Sequence, residues 1–396
     1  MSEQRGAQVT VVVTGLGAVS CFGSGTDALW EGLLRADRRP DPAPEMCGLP
    51  TRPHLYAVSG DADPNPLPAD PCSVPPGRTS ALVTAAVAQA VAEAGLTGDD
   101  LFDAGLTVGT SLGDIDLAER PGAAGPQPAV HRVAASVAAR FGIGGPGQTL
   151  STACSAGAYA VGWGAELIET GQADIVVACG GDAFSRVAVG TLQRFGLLDG
   201  ECCRPFDADR AGMVTGEGAA ALVLESADSA RRRGRPALAE LAGHGWTCDA
   251  HHPMAPEPSG EQLRRSAALA LAGATEAPGA AVLHRAGVAG NDAVESTAIG
   301  AAVAAACGDG GEVLGYAPKA VTGHTAGAAG VFGCVIAALI LRHGLVPPNA
   351  HVATLDPDCP LTVPLDGPVA LARPSVLVSG TGFGGNNAVL AWRAAA

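Results

Sequence analysis

Short apolar runs closed by glycine alternate along this chain with longer Ala- and Val-rich stretches. Residues 9–13 form a β-branched run ending at Thr14-Gly15-Leu16-Gly17, which predicts a buried strand entering a turn. Residues 80–94 predict a helix, 106–108 a short strand before Gly109-Thr110, and 133–141 a second helix. Residues 150–153 lead into Cys154, and 156–170 continue as a helix. Residues 174–179 read as a buried strand ending in Gly180-Gly181, and 219–225 as another. Residues 37–76, rich in Pro, Asp and Gly with weak periodicity, predict a long irregular excursion over the surface. The longest apolar run, 331–341, is too short to span a bilayer and predicts a buried helix. Strands alternating with helices imply an α/β protein with parallel sheets covered on both faces.

The second half replays the first. Cys-Ser-Ala-Gly-Ala from Cys154 is matched by His-Thr-Ala-Gly-Ala from His324, about 170 residues later. The strand at 219–225, preceded by Gly216-Glu217-Gly218, has a counterpart at 388–392, preceded by Gly384-Gly385-Asn386. The strand 106–108 before Gly109 corresponds to 281–283 before His284. Matches in the same order predict a duplicated unit whose halves bring the two helix starts, at Cys154 and His324, together near a pseudo-twofold axis.

Composition narrows the function. Apolar residues make up 47 % and aromatics 4 %, so the core is built from Ala, Val, Leu and Gly. A formal net charge of -15 excludes nonspecific nucleic-acid binding, which needs a basic surface, and argues against an anionic membrane. The 11 Cys lack CxxC and zinc spacing, and adjacent Cys202 and Cys203 are poor disulfide partners. With no signal-peptide pattern, a reducing cytoplasm is the expected compartment. His251-His252 has no suitably spaced third ligand and reads as a loop, so no metal is expected.

Four side chains stand out for chemistry. Cys154 lies between a strand end and a helix start, where dipole and free N–H groups favour thiolate and where its own N–H can meet an oxyanion. His324 follows Gly323 at the matching helix start, which is expected to lower its pKa and keep it neutral. His284 ends a short strand, where α/β sheets place ligands. Lys319, in a chain where lysine is very rare, is placed to orient Asp292 or Glu295. The stretch Ser379-Gly380-Thr381-Gly382-Phe383-Gly384-Gly385-Asn386-Asn387 is a glycine-rich turn between strands, with Phe383 as a candidate gate, and is no phosphate loop.

Together these motifs resemble the β-ketoacyl synthase (ketosynthase) family of the thiolase superfamily over nearly the full chain. Val11-Val12-Val13-Thr14-Gly15-Leu16-Gly17 resembles the family's first strand, and Thr152-Ala153-Cys154-Ser155-Ala156-Gly157 its nucleophile motif. Arg204-Pro205-Phe206-Asp207 with Arg210, Gly212 and Gly216-Glu217-Gly218 resembles the structural signature that follows. His284 with Asn291-Asp292 and Glu295, Lys319 with Gly323-His324, and Gly382-Phe383-Gly384-Gly385 complete the set. The resemblance implies a thiolase-like duplicated fold, two α/β halves in an αβαβα layering. An N-terminal half over 1–235 would carry the nucleophile, and a C-terminal half over 236–396 both histidines and the Gly loop.

It also implies a decarboxylative Claisen condensation in polyketide or specialised fatty-acid biosynthesis. Cys154 would take an acyl group from an acyl carrier protein. His284 and His324 would stabilise the enolate of a malonyl-type extender, the N–H groups of Cys154 and Phe383 would form the oxyanion hole, and Lys319 would give electrostatic support. No cofactor is implied beyond the carrier's phosphopantetheine, and the implied assembly is a homodimer or a heterodimer with a related subunit.

The chain departs from the family in places. Arg285-Ala286-Gly287-Val288 replaces the hydroxyl-bearing Gly-Thr-Gly-Thr that binds the pantetheine arm, removing contacts worth roughly 0.5–1.5 kcal/mol each. Gly333 stands where fatty-acid members carry Glu, which points toward polyketides, Asn386 replaces Thr, and the stretch from 113 to 154 is short for the family. Arg285 and Ala286 motivate an alternative, acyl transfer to an amine or alcohol without decarboxylation. A further alternative is a non-catalytic chain-length partner, though such partners usually lack the cysteine. Arg231-Arg232-Arg233 and Arg35 with Arg38-Arg39 are candidate docking sites for an acidic carrier.

Overall fold

The computed structural model describes residues 9–395 apart from 45–51, 59–75, 121, 124–128, 309–310 and 358. Its first strand, β1 (Val11–Ser20), is buried throughout and runs straight through the residues expected to turn. The reason lies in Gly15 and Gly17. A Cβ at Gly17 would sit 2.0 Å from the Ala86 carbonyl oxygen, and one at Gly15 2.1 Å from that of Ala90. Both carbonyls belong to helix α1 (Arg78–Ala94), so these glycines let helix backbone lie on strand backbone rather than bend the chain.

The N-terminal half continues with β2 (Gly105–Gly109), α2 (Arg132–Phe141), β3 (Gly147–Leu150), α3 (Ala156–Glu169), β4 (Ile175–Asp182) and β5 (Gly218–Ser226). The C-terminal half repeats this series as β6 (Ala239–Cys248), α4 (Glu261–Ala270), β7 (Ala280–Val282), α5 (Ala289–Cys307), β8 (Leu314–Tyr316), α6 (Ala329–His343), β9 (Ser375–Gly382) and β10 (Asn386–Arg393). The strands form one sheet in the order β8-β7-β9-β10-β6-β1-β5-β4-β2-β3, each half reading first, fifth, fourth, second, third from the centre outward.

The sheet is mixed rather than parallel. In each half the outer three strands are parallel, and the fifth runs antiparallel to its neighbours. In the C-terminal half the fifth strand follows the fourth through the short Gly loop, which forces the reversal, whereas in the N-terminal half the helix Arg186–Arg194 lies between them.

The halves stack as five layers. Helices α1 and α2 cover one outer face, α4 and α5 the other, and α3 with α6 fill the centre. The central pair meets backbone to backbone: a Cβ at Gly330 would sit 2.2 Å from the Ala158 nitrogen, and one at Gly157 2.6 Å from the Gly327 oxygen. The segment Ala326–His343 is long and apolar enough to cross a membrane, but 72 % of it is buried inside the protein. It is a core helix whose apolar surround is the two half-sheets.

The excursion at 37–76 is partly ordered where it is described. Asp41–Pro42 pairs with His54–Tyr56, which pairs in parallel with Thr215–Gly216. Residues 45–51 and 59–75 of that excursion lie outside the described residues.

Candidate active site

Each central helix is entered through a short 3₁₀ turn, Ala153–Ser155 before α3 and Ala326–Ala328 before α6. Both turns start on an alanine with positive φ, 51° at Ala153 and 47° at Ala326, conformations that cost a non-glycine residue energy and persist only where packing enforces them. This equivalence pairs Cys154 with Gly327, three residues beyond the His324 that the repeated Cys/His-x-Ala-Gly-Ala pattern selects. The strand matches stand: Gly218 and Asn386 occupy the same register against the ends of β4 and β9.

Cys154, His284, His324 and Phe383 all line one cavity of about 320 Å³ between the halves. The turn that holds Cys154 is fastened by Ser155 Oγ, which donates to the Thr152 carbonyl at 2.7 Å. The Gly loop presses on that turn, since a Cβ at Gly382 would sit 2.7 Å from the Thr152 oxygen and 3.0 Å from the Ser155 nitrogen. Burial pushes the Cys154 thiol up to about 11, against the lowering pull of Lys319 and with a further upward push from Asp182. The expectation of a resting thiolate is therefore corrected. The lowering pulls of Lys319 and of the Cys154 backbone N–H are too small to offset the loss of water around sulfur.

The rings of His284 and His324 stand edge to face with centroids 5.2 Å apart. Burial holds both well below the usual histidine value, and the Lys319 charge lowers both further. Both are neutral, as expected for His324, but the cause is burial beside a cation rather than a helix dipole. His324 itself sits in a bridge beside Thr215, its N–H donating to Val214 O at 2.7 Å.

The His284 loop is held by its backbone. Glu295 accepts from the His284 N–H at 2.7 Å, the Arg285 N–H at 2.8 Å and Ser379 Oγ at 2.5 Å. Asp292 accepts from the Ala286 and Gly287 N–H groups, both at 3.0 Å. These carboxylates lie on one face of α5 and cap the loop directly, rather than being oriented by Lys319. Lys319, the chain's single lysine, is buried and donates to the His284 carbonyl. Burial lowers its pKa, opposed mainly by Glu295.

Arg285 does not enter the cavity. Its guanidinium is buried over the Phe206 ring at 4.3 Å, donates to the Pro205 carbonyl at 2.7 and 3.0 Å, and lies 3.8 Å from Asp292. Ala286 lines the cavity in its place. Gly333 also has a local reason, since a Cβ there would sit 2.7 Å from Val378 Cγ1 of β9. Asn386 fastens the Gly loop, its Nδ2 donating to the Phe383 carbonyl at 3.1 Å.

Two contributors escaped the sequence reading. Asp182, at the end of β4, lines the cavity and is fully enclosed. The polar residue that closes Gly180-Gly181 at the carboxyl end of a buried strand was the available signal. Glu119 caps the cavity-lining helix Arg186–Arg194, accepting from Ser185 Oγ at 2.6 Å and from the N–H groups of Arg186 at 2.9 Å and Val187 at 3.1 Å.

The candidate docking arginines are largely satisfied internally. Arg233 pairs with Glu225 at 3.1 Å, Arg232 with Asp174 at 3.0 Å, Arg38 with Asp41 at 2.6 Å and Arg35 with Glu31 at 3.9 Å; Arg231 pairs with Asp228. His252 Nδ1 accepts from the Met254 and Ala255 N–H groups, closing a loop. Among the described residues the group with metal-ligand spacing is Glu166, Glu169 and His244, none of which lines the cavity.

A duplicated five-layer α/β fold with cysteine and paired histidines in one cavity defines a condensing, acyl-transferring class of enzyme. The chain belongs to the beta-ketoacyl synthase family: residues 76–230 match its N-terminal domain and 238–353 its C-terminal domain. It is 33 % identical to a putative polyketide beta-ketoacyl synthase 1 of Streptomyces halstedii, covering 95 % of this chain and 96 % of the relative. It is 31 % identical to 3-oxoacyl-[acyl-carrier-protein] synthase 2 of Rhizobium meliloti, covering 97 % and 98 %. Among solved structures it resembles the ishigamide ketosynthase/chain length factor, with a TM-score of 0.87, 33 % identity and coverage of 98 % and 100 %.

Proposed function

We propose that this chain is a β-ketoacyl-[acyl-carrier-protein] synthase that performs a decarboxylative Claisen condensation in polyketide or specialised fatty-acid biosynthesis. The observation that carries this reading is the meeting of Cys154 with two neutral, mutually perpendicular imidazoles in one cavity. Cys154 Sγ attacks the carrier thioester, and the proton it loses leaves with the carrier thiol. The N–H groups of Cys154 and Phe383 stabilise the tetrahedral oxyanion. A malonyl-type thioester then loses carbon dioxide; the electron pair of the broken bond passes into an enolate held by hydrogen bonds from His284 and His324. Neutral rings donate those bonds without first giving up a proton. The enolate carbon attacks the acyl group, a carbon–carbon bond forms, and Cys154 leaves as thiolate and is reprotonated.

Lys319 holds the His284 loop through its carbonyl and adds positive charge, while Asp292 and Glu295 fix the same loop. No metal or organic cofactor enters this scheme beyond the phosphopantetheine of the carrier protein. The partners are that carrier and a second ketosynthase-like chain, identical or related; the similarity to the ishigamide ketosynthase/chain length factor supports this. Free thiols at all nine described cysteines support a cytoplasmic setting. Transfer to an amine or alcohol keeps only the Ala286 change as its motivation, because Arg285 turns into the core while Ala286 lines the cavity. The presence of Cys154 beside both rings speaks against a non-catalytic partner.

The test has two arms. Incubation with acyl-loaded carrier protein gives an acyl mass shift on the wild-type chain and none on Cys154→Ala. Malonyl-carrier protein then releases carbon dioxide. Persistent labelling of the Ala variant overturns the nucleophile, and labelling without carbon dioxide release overturns the condensation.

A further inference from the structure

Asp182 is bound on every side by donors. Oδ1 accepts from Thr110 Oγ1 at 2.7 Å and the Leu112 N–H at 3.0 Å; Oδ2 accepts from the Ser111 N–H at 2.8 Å and the Gly327 N–H at 2.7 Å. Three of these donors are backbone N–H groups, which cannot reverse to accept a proton. An ionised carboxylate satisfies the full set as it stands, whereas a protonated one must turn the Thr110 hydroxyl from donor to acceptor. Burial pushes Asp182 up from the ordinary carboxylate value, and the four donors act against it.

The duplication gives this contact its meaning. Gly327 is the counterpart of Cys154, so the Gly327 N–H is the counterpart of the Cys154 N–H. One N–H is filled by a carboxylate from the end of β4. The other meets no such carboxylate, because the equivalent end of β9 is Gly382, which has no side chain to supply one.

We propose that Asp182 is a positioning residue, a built-in anion that occupies the backbone N–H pocket of the C-terminal turn and sets that turn against the nucleophile turn. The Cys154 pocket is thereby left as the open oxyanion site of the pair. The inference deepens the condensing reading and rests on it for its catalytic meaning. Burial is the main cause that keeps the resting nucleophile a thiol, and the negative charge of Asp182 adds to it.

The decisive experiment follows alkylation of Cys154 by iodoacetamide, read by peptide mass spectrometry as a function of pH, in the full chain. Removing the anion in Asp182→Gly or Asp182→Asn lowers the alkylation midpoint by about one pH unit. Formate returns the Asp182→Gly midpoint at least halfway toward wild type and leaves Asp182→Asn unmoved, because the amide already fills the pocket. A wild-type midpoint in both variants, or no response of Asp182→Gly to formate, overturns the proposal. If Asp182→Gly does not fold, the Asp182→Asn midpoint decides alone, a downward shift supporting the proposal and any other result overturning it. Loss of the fold in both variants overturns it in favour of a purely structural role. The readout needs no carrier or acyl group. A wild-type chain that forms no acyl-enzyme would sink the condensing mechanism and leave this result standing.

Discussion

The turn at Cys154 and the turn at Gly327 share a backbone path, a strained alanine and a following core helix, yet they do different work. At the first, the residue after the alanine carries a thiol in the cavity and the facing strand ends in Gly382. At the second, that residue is a glycine with no spare room: a Cβ would sit 2.6 Å from the Ser111 nitrogen and 2.7 Å from Asp182 Oδ2. One copy of the unit is closed and structural; the other is open and reactive. A duplicated fold can thus divide labour by exchanging side chains at equivalent positions without changing the path of the main chain.

The sharpest way to break this comparison is to place alanine at both turns. Cys154→Ala abolishes acyl-enzyme formation, seen by mass, while its melting temperature stays near wild type. Gly327→Ala destabilises by about 1–3 kcal/mol through overpacking, measured by denaturant unfolding. Equal stability losses in the two variants would remove the distinction between open and closed turns.

Acid unfolding separates the halves next, because both buried rings lie in the C-terminal one. Their pKa values in the folded chain lie well below 6.5. The unfolded state therefore binds more protons below about pH 6.5, and stability falls as pH drops through that region. The slope is up to about 1.4 kcal/mol per pH unit for each ring. His324→Asn reduces this slope by one ring's share, measured by chemical denaturation between pH 6.5 and 5; an unchanged slope would show that the ring is protonated when folded.

A smaller effect is expected at the cavity wall. Glu119→Ala removes the acceptor of the Arg186 and Val187 N–H groups, leaves Ser185 as N-cap of the helix Arg186–Arg194, and costs about 0.5–2 kcal/mol. The loosened wall broadens acyl-chain selectivity in competition assays, whereas unchanged selectivity would mean that the helix is held by other contacts. At the surface, Arg231→Ala changes stability by less than about 0.5 kcal/mol, because its pair with Asp228 is exposed on both sides. A larger loss in thermal melts would show that the triple-arginine segment braces the fold.

Much of this was legible in the chain. The runs that became β1 and β4 were legible as strands because they are short, β-branched and closed by glycine, which favours a buried strand over a buried helix. Cys154, His284, His324 and Lys319 stood out by residue type against an Ala/Gly background, and the structure brings the first three to one cavity with Lys319 just behind. What failed did so for stated reasons. Gly15 and Gly17 permit both a turn and a helix lying on a strand, and only the position of α1 decides between them. The repeat was misregistered by three residues because Ala-Gly occurs at both offsets, as Ala326-Gly327 and Ala329-Gly330, while the strained alanines that set the true register are invisible in a string. Arg285 was read as a change in how the pantetheine arm is bound because a sequence does not show which way a loop side chain turns. Asp182 was missed because its partners are mostly backbone N–H groups, which leave no mark in composition.

One feature of the His284 loop bears on how such a catalyst can be altered. Its main chain is clamped from both sides, by Glu295 at the nitrogen and by Lys319 at the carbonyl. The coordinates of that residue are thus set independently of what its ring touches. Placement and identity are separable there, so the imidazole can be exchanged for another group with the scaffold around it undisturbed.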